Sequence, residues 1–465
     1  MHVIDYSLIA AYLALLLWLG LRYRVEGGSG ARDMIVGGRM LTLPAFVASL
    51  VSTWYGGILG VGEYSYNYGL SNWLVFGLPY YLAAALFAIF LARKARQTEL
   101  LTIPQRLGQV YNSRTAMAGA VTVFFMTVPS AYILMLGVLC QFLFGWPAWA
   151  GILGGTLFSI VYVFTGGFKS IVRTDVLQFG LMFVGFGGLL GMLLAEYGGL
   201  DFLVASLPQT HLTWHGGNSG WYIAVWYVIA LATMIEPAFY QRCYAARSPR
   251  TARRGIFISI GCWCLFDFMT TTCGLYARAL LPELADPVGA YPALAQAVLP
   301  VGLMGLFALA LLATVMSTVD SYSFLAASTW GHDVVPRLRK LDDQGIVRQT
   351  RIGLLLSSGL AVVLALFFRS VVDIWHALGS IGTPALLVPL FTAFVGNRRL
   401  PPRVAFVSIV TSSLLSLVWY LSKYMNIDGS YWCQVEPIFP GLLWSLVLFA
   451  VFSRRSPQPD LPESR

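Results

Sequence analysis

Charge is what this sequence has least of. Only 11% of its 465 residues are Asp, Glu, Lys or Arg, while 57% are hydrophobic. A soluble globular chain carries about 25% charged residues, and no stretch here is long or polar enough to form a separate soluble domain. A membrane protein with short connections is the class that remains. Cysteine is scarce as well. Cys140, Cys243, Cys262, Cys264, Cys273 and Cys433 lie mostly inside apolar segments, and the 262/264 spacing is not that of a zinc site. They read as packing residues. There is no HExxH, no Ser-His-Asp candidate set and no catalytic cluster, which argues against an enzyme. The opening run "MHVIDYSLIAAYLALLLWLGLRYR" has no basic residue ahead of its apolar part and no small-residue cleavage site behind it. It predicts a retained helix rather than a removed signal.

Positive charge is missing from one side of the predicted topology. Thirteen apolar runs are long enough to span: 5–22, 43–62, 71–92, 116–143, 146–166, 174–197, 221–239, 255–281, 300–327, 351–368, 371–394, 402–421 and 438–452. With the N-terminus outside, all but three of the 30 Lys and Arg fall on inner segments, the exceptions being Arg278, Arg369 and Lys423. The positive-inside rule predicts that partition for a protein of the cytoplasmic (inner) membrane with a cytoplasmic C-terminus. It also explains the net charge of +9. The basic face is expected to meet anionic membrane lipid rather than nucleic acid. The outer loop 198–220 has no basic residue, and its His211 and His215 read as surface residues.

Against this background three features stand out. The run "STWYGGILGVG" (52–62) holds Gly56, Gly57, Gly60 and Gly62, each costing a helix about 1 kcal/mol relative to Ala. A glycine-broken span marks either a transporter binding site near the midplane or close helix packing. Next, Asp175, Glu236, Asp267 and Asp320 fall at membrane depth with no Lys or Arg in the central part of any span. Each is therefore protonated, hydrogen-bonded or neutralised by a bound cation. Finally, "LLATVMSTVDSYSFLAAS" (311–328) sets Thr314, Ser317, Thr318 and Ser321 on one helical face, with Asp320 beside it as an electrostatic neighbour. Oxygen ligands on one face suit a small hard cation.

Several separated motifs resemble one family, the sodium/solute symporters, whose members include proline, pantothenate, sugar and sialic acid transporters. "STWYGGILGVGEYSYNYGL" is similar to the family's first core helix, and "GGFKSIVRTDVLQFG" (166–180) to the start of its fifth. "EPAFYQRCYAARSPRTARRG" (236–255) resembles the Pro…Gln-Arg…Ala signature after the sixth, and "ATVMSTVDSYSFLAASTWGHD" (313–333) the eighth. The resemblance implies an all-α polytopic LeuT-like fold of the APC superfamily, with inverted five-helix repeats at 43–197 and 221–394. The first helix and a cytoplasmic loop (1–42), the outer loop 198–220, two further helices (395–453) and a tail (454–465) lie outside those repeats.

It implies sodium as the coupling ion and no other cofactor. The main sodium site would take the Thr314 carbonyl and the Ser317 and Thr318 hydroxyls. Its first-helix carbonyls fall on Ser52 and Tyr55 when Ser-Thr-Trp is aligned, or on Leu50 and Thr53 when the glycines are. Some members use an aspartate matching Asp175 for a second sodium beside Ser317 and Thr318, so one or two ions are allowed.

The expected function is sodium-coupled symport of a small organic solute by alternating access, an amino acid or related solute being favoured. Gly56, Gly57, Tyr81, Glu236 and Asp267 are the candidate solute contacts, and Trp54, Tyr80, Trp226 and Trp263 could pack on a solute. A proton-coupled symporter on the same scaffold and a transporter-like membrane sensor are the alternatives.

Overall fold

A computed structural model describes residues 1–22, 30–368, 371–426 and 429–456; the tail from 457 lies outside the described residues. Eleven helices among them are long and apolar enough to cross a membrane. One of these, Ala148–Tyr197, is broken at Gly167, where φ is +57°, so it forms two spans. With the shorter apolar helix Ile438–Phe452, the thirteen expected runs are all helical.

In chain order, α1 is Val3–Leu21, followed by α2 (Leu43–Trp54) and α3 (Ile58–Tyr68) across a tight turn at Tyr55–Gly57. Then come α4 (Trp73–Gln97), α5 (Ser113–Met126) and α6 (Ser130–Phe144). The kinked α7 is Ala148–Tyr197. A second interrupted helix follows, α8 (Gly220–Ile229) and α9 (Pro237–Ala245), separated by a tight turn at Ala230–Ile235. The rest are α10 (Pro249–Leu280), α11 (Leu303–Ser328), α12 (Asp343–Phe367), α13 (Val371–Phe394), α14 (Pro402–Leu421) and α15 (Ile438–Phe452). A two-residue antiparallel pairing of Arg398–Arg399 with Arg454–Arg455 ties the chain after α13 to the end of α15.

The two interruptions have different chemical causes. At the first, Gly56 sits so close to α11 that a Cβ there would collide with the Thr318 side chain. At the second, Glu236 takes an extended conformation (φ −64°, ψ 112°) and Pro237 opens α9. Proline lacks the N–H that would continue the helix and disfavours a helical residue before it. The Glu236 carboxylate caps the new helix, accepting from the Ala238 N–H at 3.3 Å. The sequence reading ended this span at 239, one and a half turns short of where α9 stops.

Helix α11 is buried over almost its whole length. It packs along α7, and the α2–α3 turn leans on it. Helices α1, α14 and α15 are peripheral, with exposed Leu15, Trp18, Leu414, Leu443 and Val447, as expected of surfaces that meet lipid. Two minor expectations change. His211 is buried, its Nε2 donating to the Tyr66 carbonyl at 2.9 Å, because the outer loop folds back over the end of α3. Burial lowers its pKa from the usual imidazole value. Cys140, Cys243 and Cys273 are packed inside, whereas Cys264 and Cys433 are exposed.

Candidate functional site

The end of α2, the kinked part of α7, and α9 and α11 converge on one point, and each contributes oxygen or charge. Thr318 Oγ1 donates to the Thr53 carbonyl at 2.8 Å and lies 3.5 Å from the Thr314 carbonyl. From the adjacent position, the Ser317 hydroxyl donates to Asp175 Oδ1 at 2.6 Å and sits 2.9 Å from Ser52 Oγ. Ser49 donates to the other oxygen, Asp175 Oδ2, at 2.6 Å. Ser49, Ser52, Thr53, Asp175, Thr314, Ser317 and Thr318 are all buried. Main-chain carbonyls are available at Thr53 because the helix stops in the next turn, leaving its last carbonyls without successors.

Such a set of carbonyls and hydroxyls with one carboxylate suits a hard cation rather than zinc or another soft metal. Among the described residues no cluster of three His, Cys, Asp or Glu side chains is arranged to hold a metal. Of the two alignments left open by the sequence, the Thr53 carbonyl is the one seen against α11. Tyr55 points elsewhere, and its carbonyl accepts from the Ile58 N–H within the turn.

One sequence expectation is overturned here. Asp175 was expected to lack a cationic neighbour, but Arg242 of α9 lies 3.4 Å from it, both side chains fully buried. The predicted end of the seventh span placed Arg242 in a cytoplasmic loop. Pro237 and its following apolar residues were the signal that the helix restarts and carries Arg242 inward. Nothing in the sequence singles out Ser49, Ser159 and Tyr162.

The other carboxylates are held by hydroxyls. Asp320 does not join the Ser317 group directly. Its two oxygens accept from Ser159 and Tyr162 of α7. Asp267 accepts from Tyr55 at 2.7 Å and from Tyr81, which brings two of the candidate solute residues together. Glu236 is apart from them, accepting from Tyr322 at 2.9 Å. Among the described residues none of these three forms an ion pair with Lys or Arg.

Beyond the turn at Gly56 and Gly57, Trp54 forms the centre of an aromatic group. Its ring lies 5.7 Å from Tyr80, 5.4 Å from Phe239 and 5.5 Å from Trp263. Trp226 packs elsewhere, 4.6 Å from Phe76. Trp54, Gly57, Tyr80 and Tyr81 are only half-buried. Trp263 is buried, yet its indole N–H finds no acceptor among the described residues.

Two interrupted helices opening corresponding halves of a helical bundle, with a polar focus between them, define a secondary transporter. The comparisons agree. The model of the sodium:solute symporter family matches residues 34–411, so the chain belongs to that family. It is a transporter coupling solute movement to sodium, and not an enzyme. It is 25% identical to a sodium/proline symporter of Staphylococcus aureus over 98% of this chain and 93% of that protein. Identity to a sodium/pantothenate symporter of Escherichia coli is also 25%, covering 91% and 89%. A solved structure of a Na+-coupled sialic acid symporter in a substrate-bound outward-open state superposes with a TM-score of 0.79, at 17% identity and 98% and 99% coverage. The fold is thus LeuT-like.

Proposed function

We propose that the protein carries one class of amino-acid-like solute into the cell together with sodium, across the cytoplasmic membrane, with its N-terminus outside. The observation that carries this reading is the meeting of the α2 break with the Ser317–Thr318 face of α11. Sodium would sit among the Thr53 and Thr314 carbonyls and the Ser317 and Thr318 hydroxyls. The Thr53–Thr318 hydrogen bond is then replaced by two bonds to the ion, since both oxygens have lone pairs to give. Bound there, the ion joins α2 to α11, and Trp54, the next residue after Thr53, belongs to the solute cluster. Ordering one orders the other.

The solute would lie beside Gly56 and Gly57, against Trp54, Tyr80, Tyr81 and Trp263. Asp267 can accept from an ammonium group, and the free Trp263 N–H can donate to a carboxylate. That pairing favours a zwitterion. Glu236 and Tyr322 approach from the opposite, α9–α11 side. The inward membrane potential contributes roughly 2.3 kcal/mol per charge per 100 mV. Coupling requires that sodium bind the outward-facing state more tightly than the inward one. Inverted repeats at 43–197 and 221–394 supply the two bodies that rock.

A thermal-shift series on the purified protein tests the reading. Sodium is compared with potassium and choline, each with a panel of amino acids, vitamins and sugars. Stabilisation by an amino acid in sodium alone is the expected result, through simple linkage. A solute response that is indifferent to sodium and follows pH would replace sodium coupling by proton coupling.

A further inference from the structure

Where the end of α1, the start of α2 and the second half of α7 meet, they enclose a cavity of about 520 Å³. Sites for small organic ligands span about 300–1,000 Å³. The walls are apolar, with Leu19 from α1, Ala45 from α2, and Phe168 and Val172 from α7. None of the lining residues belongs to the Trp54 aromatic group or to the proposed sodium ligands. Met40 and Val176 also line the cavity and are exposed, so it opens sideways, toward whatever surrounds the helices. On the topology proposed above, that is the cytoplasmic leaflet of the membrane.

Two cations complete the lining, Lys169 and Arg173. They stand four residues apart on α7, and so on one face of it, and both are exposed. Gly37 fixes how the lysine lies. A Cβ there would come within 3.2 Å of Lys169 Cγ, so the lysine stem runs across that glycine and carries its ammonium along the edge of the cavity. Lys169 Nζ lies 3.4 Å from Asp33 in a pair open to solvent. An exposed pair of this kind is weak, and an ammonium has three donors, so Lys169 can reach a second anion. A guanidinium has five donors in a fork that matches phosphate oxygens, so a phosphate can share Arg173 with another partner.

We propose that this cavity binds one anionic phospholipid, with an acyl chain against Leu19, Ala45, Phe168 and Val172 and the headgroup phosphate on Lys169 and Arg173. The two halves of the lining call for both parts of such a molecule. A small soluble anion would leave the apolar walls uncovered, and an uncharged lipid would leave the paired cations unused. Basic pockets between membrane helices hold anionic headgroups through this same chemistry.

The test is native mass spectrometry of the purified full-length protein, stripped of lipid in an uncharged detergent and titrated with phosphatidylglycerol. One lipid per chain is expected to bind ahead of any others. Phosphatidylcholine with the same acyl chains should bind at least about tenfold more weakly, and inorganic phosphate should not displace the bound lipid. Lys169→Gln and Arg173→Gln should each weaken the first phosphatidylglycerol roughly 5-fold, and together roughly 30-fold. Arg250→Gln combined with Arg254→Gln removes two exposed charges from the start of α10 and should leave that affinity unchanged. Ala45→Phe puts a ring into the cavity and should lose the lipid with both cations in place. Equal affinity for phosphatidylcholine would reduce the cavity to an ordinary lipid-facing surface, and displacement by inorganic phosphate would reduce it to an anion site. An equal loss from the α10 pair would assign the effect to the basic face as a whole. Each of these results, or the absence of a preferred first lipid, overturns the proposal.

Discussion

The Asp175 end and the Asp267 end of the site solve the same problem differently. Both bury an aspartate in a helical membrane protein. At one end, Asp175 meets a guanidinium and two serine hydroxyls. At the other, Asp267 has the hydroxyls of Tyr55 and Tyr81 and, among the described residues, no cation. A buried charge needs a partner or a proton. Asp175 carries its partner within the protein, whereas Asp267, on the proposed reading, leaves the place for a cationic group of the solute. The difference separates a structural clamp from a binding surface.

The comparison breaks hardest at Arg242. Truncation to Ala strands Asp175, and breaking a buried pair by removing one partner costs about 3–5 kcal/mol. In potassium the variant is expected to lose that much stability, read as lower Tm and folded yield. Adding Asp175→Asn should recover most of the loss. If the single variant is as stable as the wild type, the pair is not the clamp described.

Gly56 tests the contact between the α2 break and α11. A methyl group there collides with Thr318, and overpacking costs about 1–3 kcal/mol. Gly56→Ala should raise the half-saturating sodium concentration for uptake roughly 5- to 150-fold. An unchanged sodium dependence would mean that the turn does not seat the ion.

The Asp267 end should respond in solute affinity alone. Tyr81→Phe removes one hydrogen bond to Asp267, worth about 0.5–1.5 kcal/mol. Solute affinity should shift roughly 2- to 10-fold while half-saturating sodium in the absence of solute stays constant. A shift in that sodium value would merge the two ends.

His211 gives the smallest effect. Because burial lowers its folded pKa, its contribution to stability is complete above the unfolded value of about 6.5 and is lost as pH falls below it. Between pH 7.5 and 5.5 the wild type should lose roughly 1–2 °C of Tm that His211→Asn does not lose. Identical profiles would remove His211 as the source.

Much of this was legible in the residues, and the failures have physical reasons. Thr314, Ser317 and Thr318 could be read because helical periodicity alone puts them on one face, whatever packs against it. The break at 55–57 could be read from Gly56 and Gly57. The second break, at Glu236–Pro237, carries no glycine and was passed over, although proline dictates it. Ending that span early then hid Arg242, since a basic residue just past an apolar run looks like a cytoplasmic flank. Its pairing with Asp175 is a contact across 67 positions, which no local pattern contains. The tyrosines around Asp267 and the Ser159–Tyr162 pair on Asp320 were hidden for the same reason. In a chain that is 14% aromatic, a tyrosine that binds a carboxylate looks like one that packs.

The most direct test of the central claim is sodium-dependent stabilisation of the Ser317→Ala, Thr318→Ala double variant. Each side chain supplies one oxygen to the proposed ion, and losing both should raise the half-maximal sodium concentration at least about tenfold, beyond a loss of roughly 1–3 kcal/mol of stability in choline for each hydrogen bond removed from Asp175 and the Thr53 carbonyl. A double variant that responds to sodium at wild-type concentrations would contradict the account, because the ion would then bind somewhere other than between the α2 break and α11.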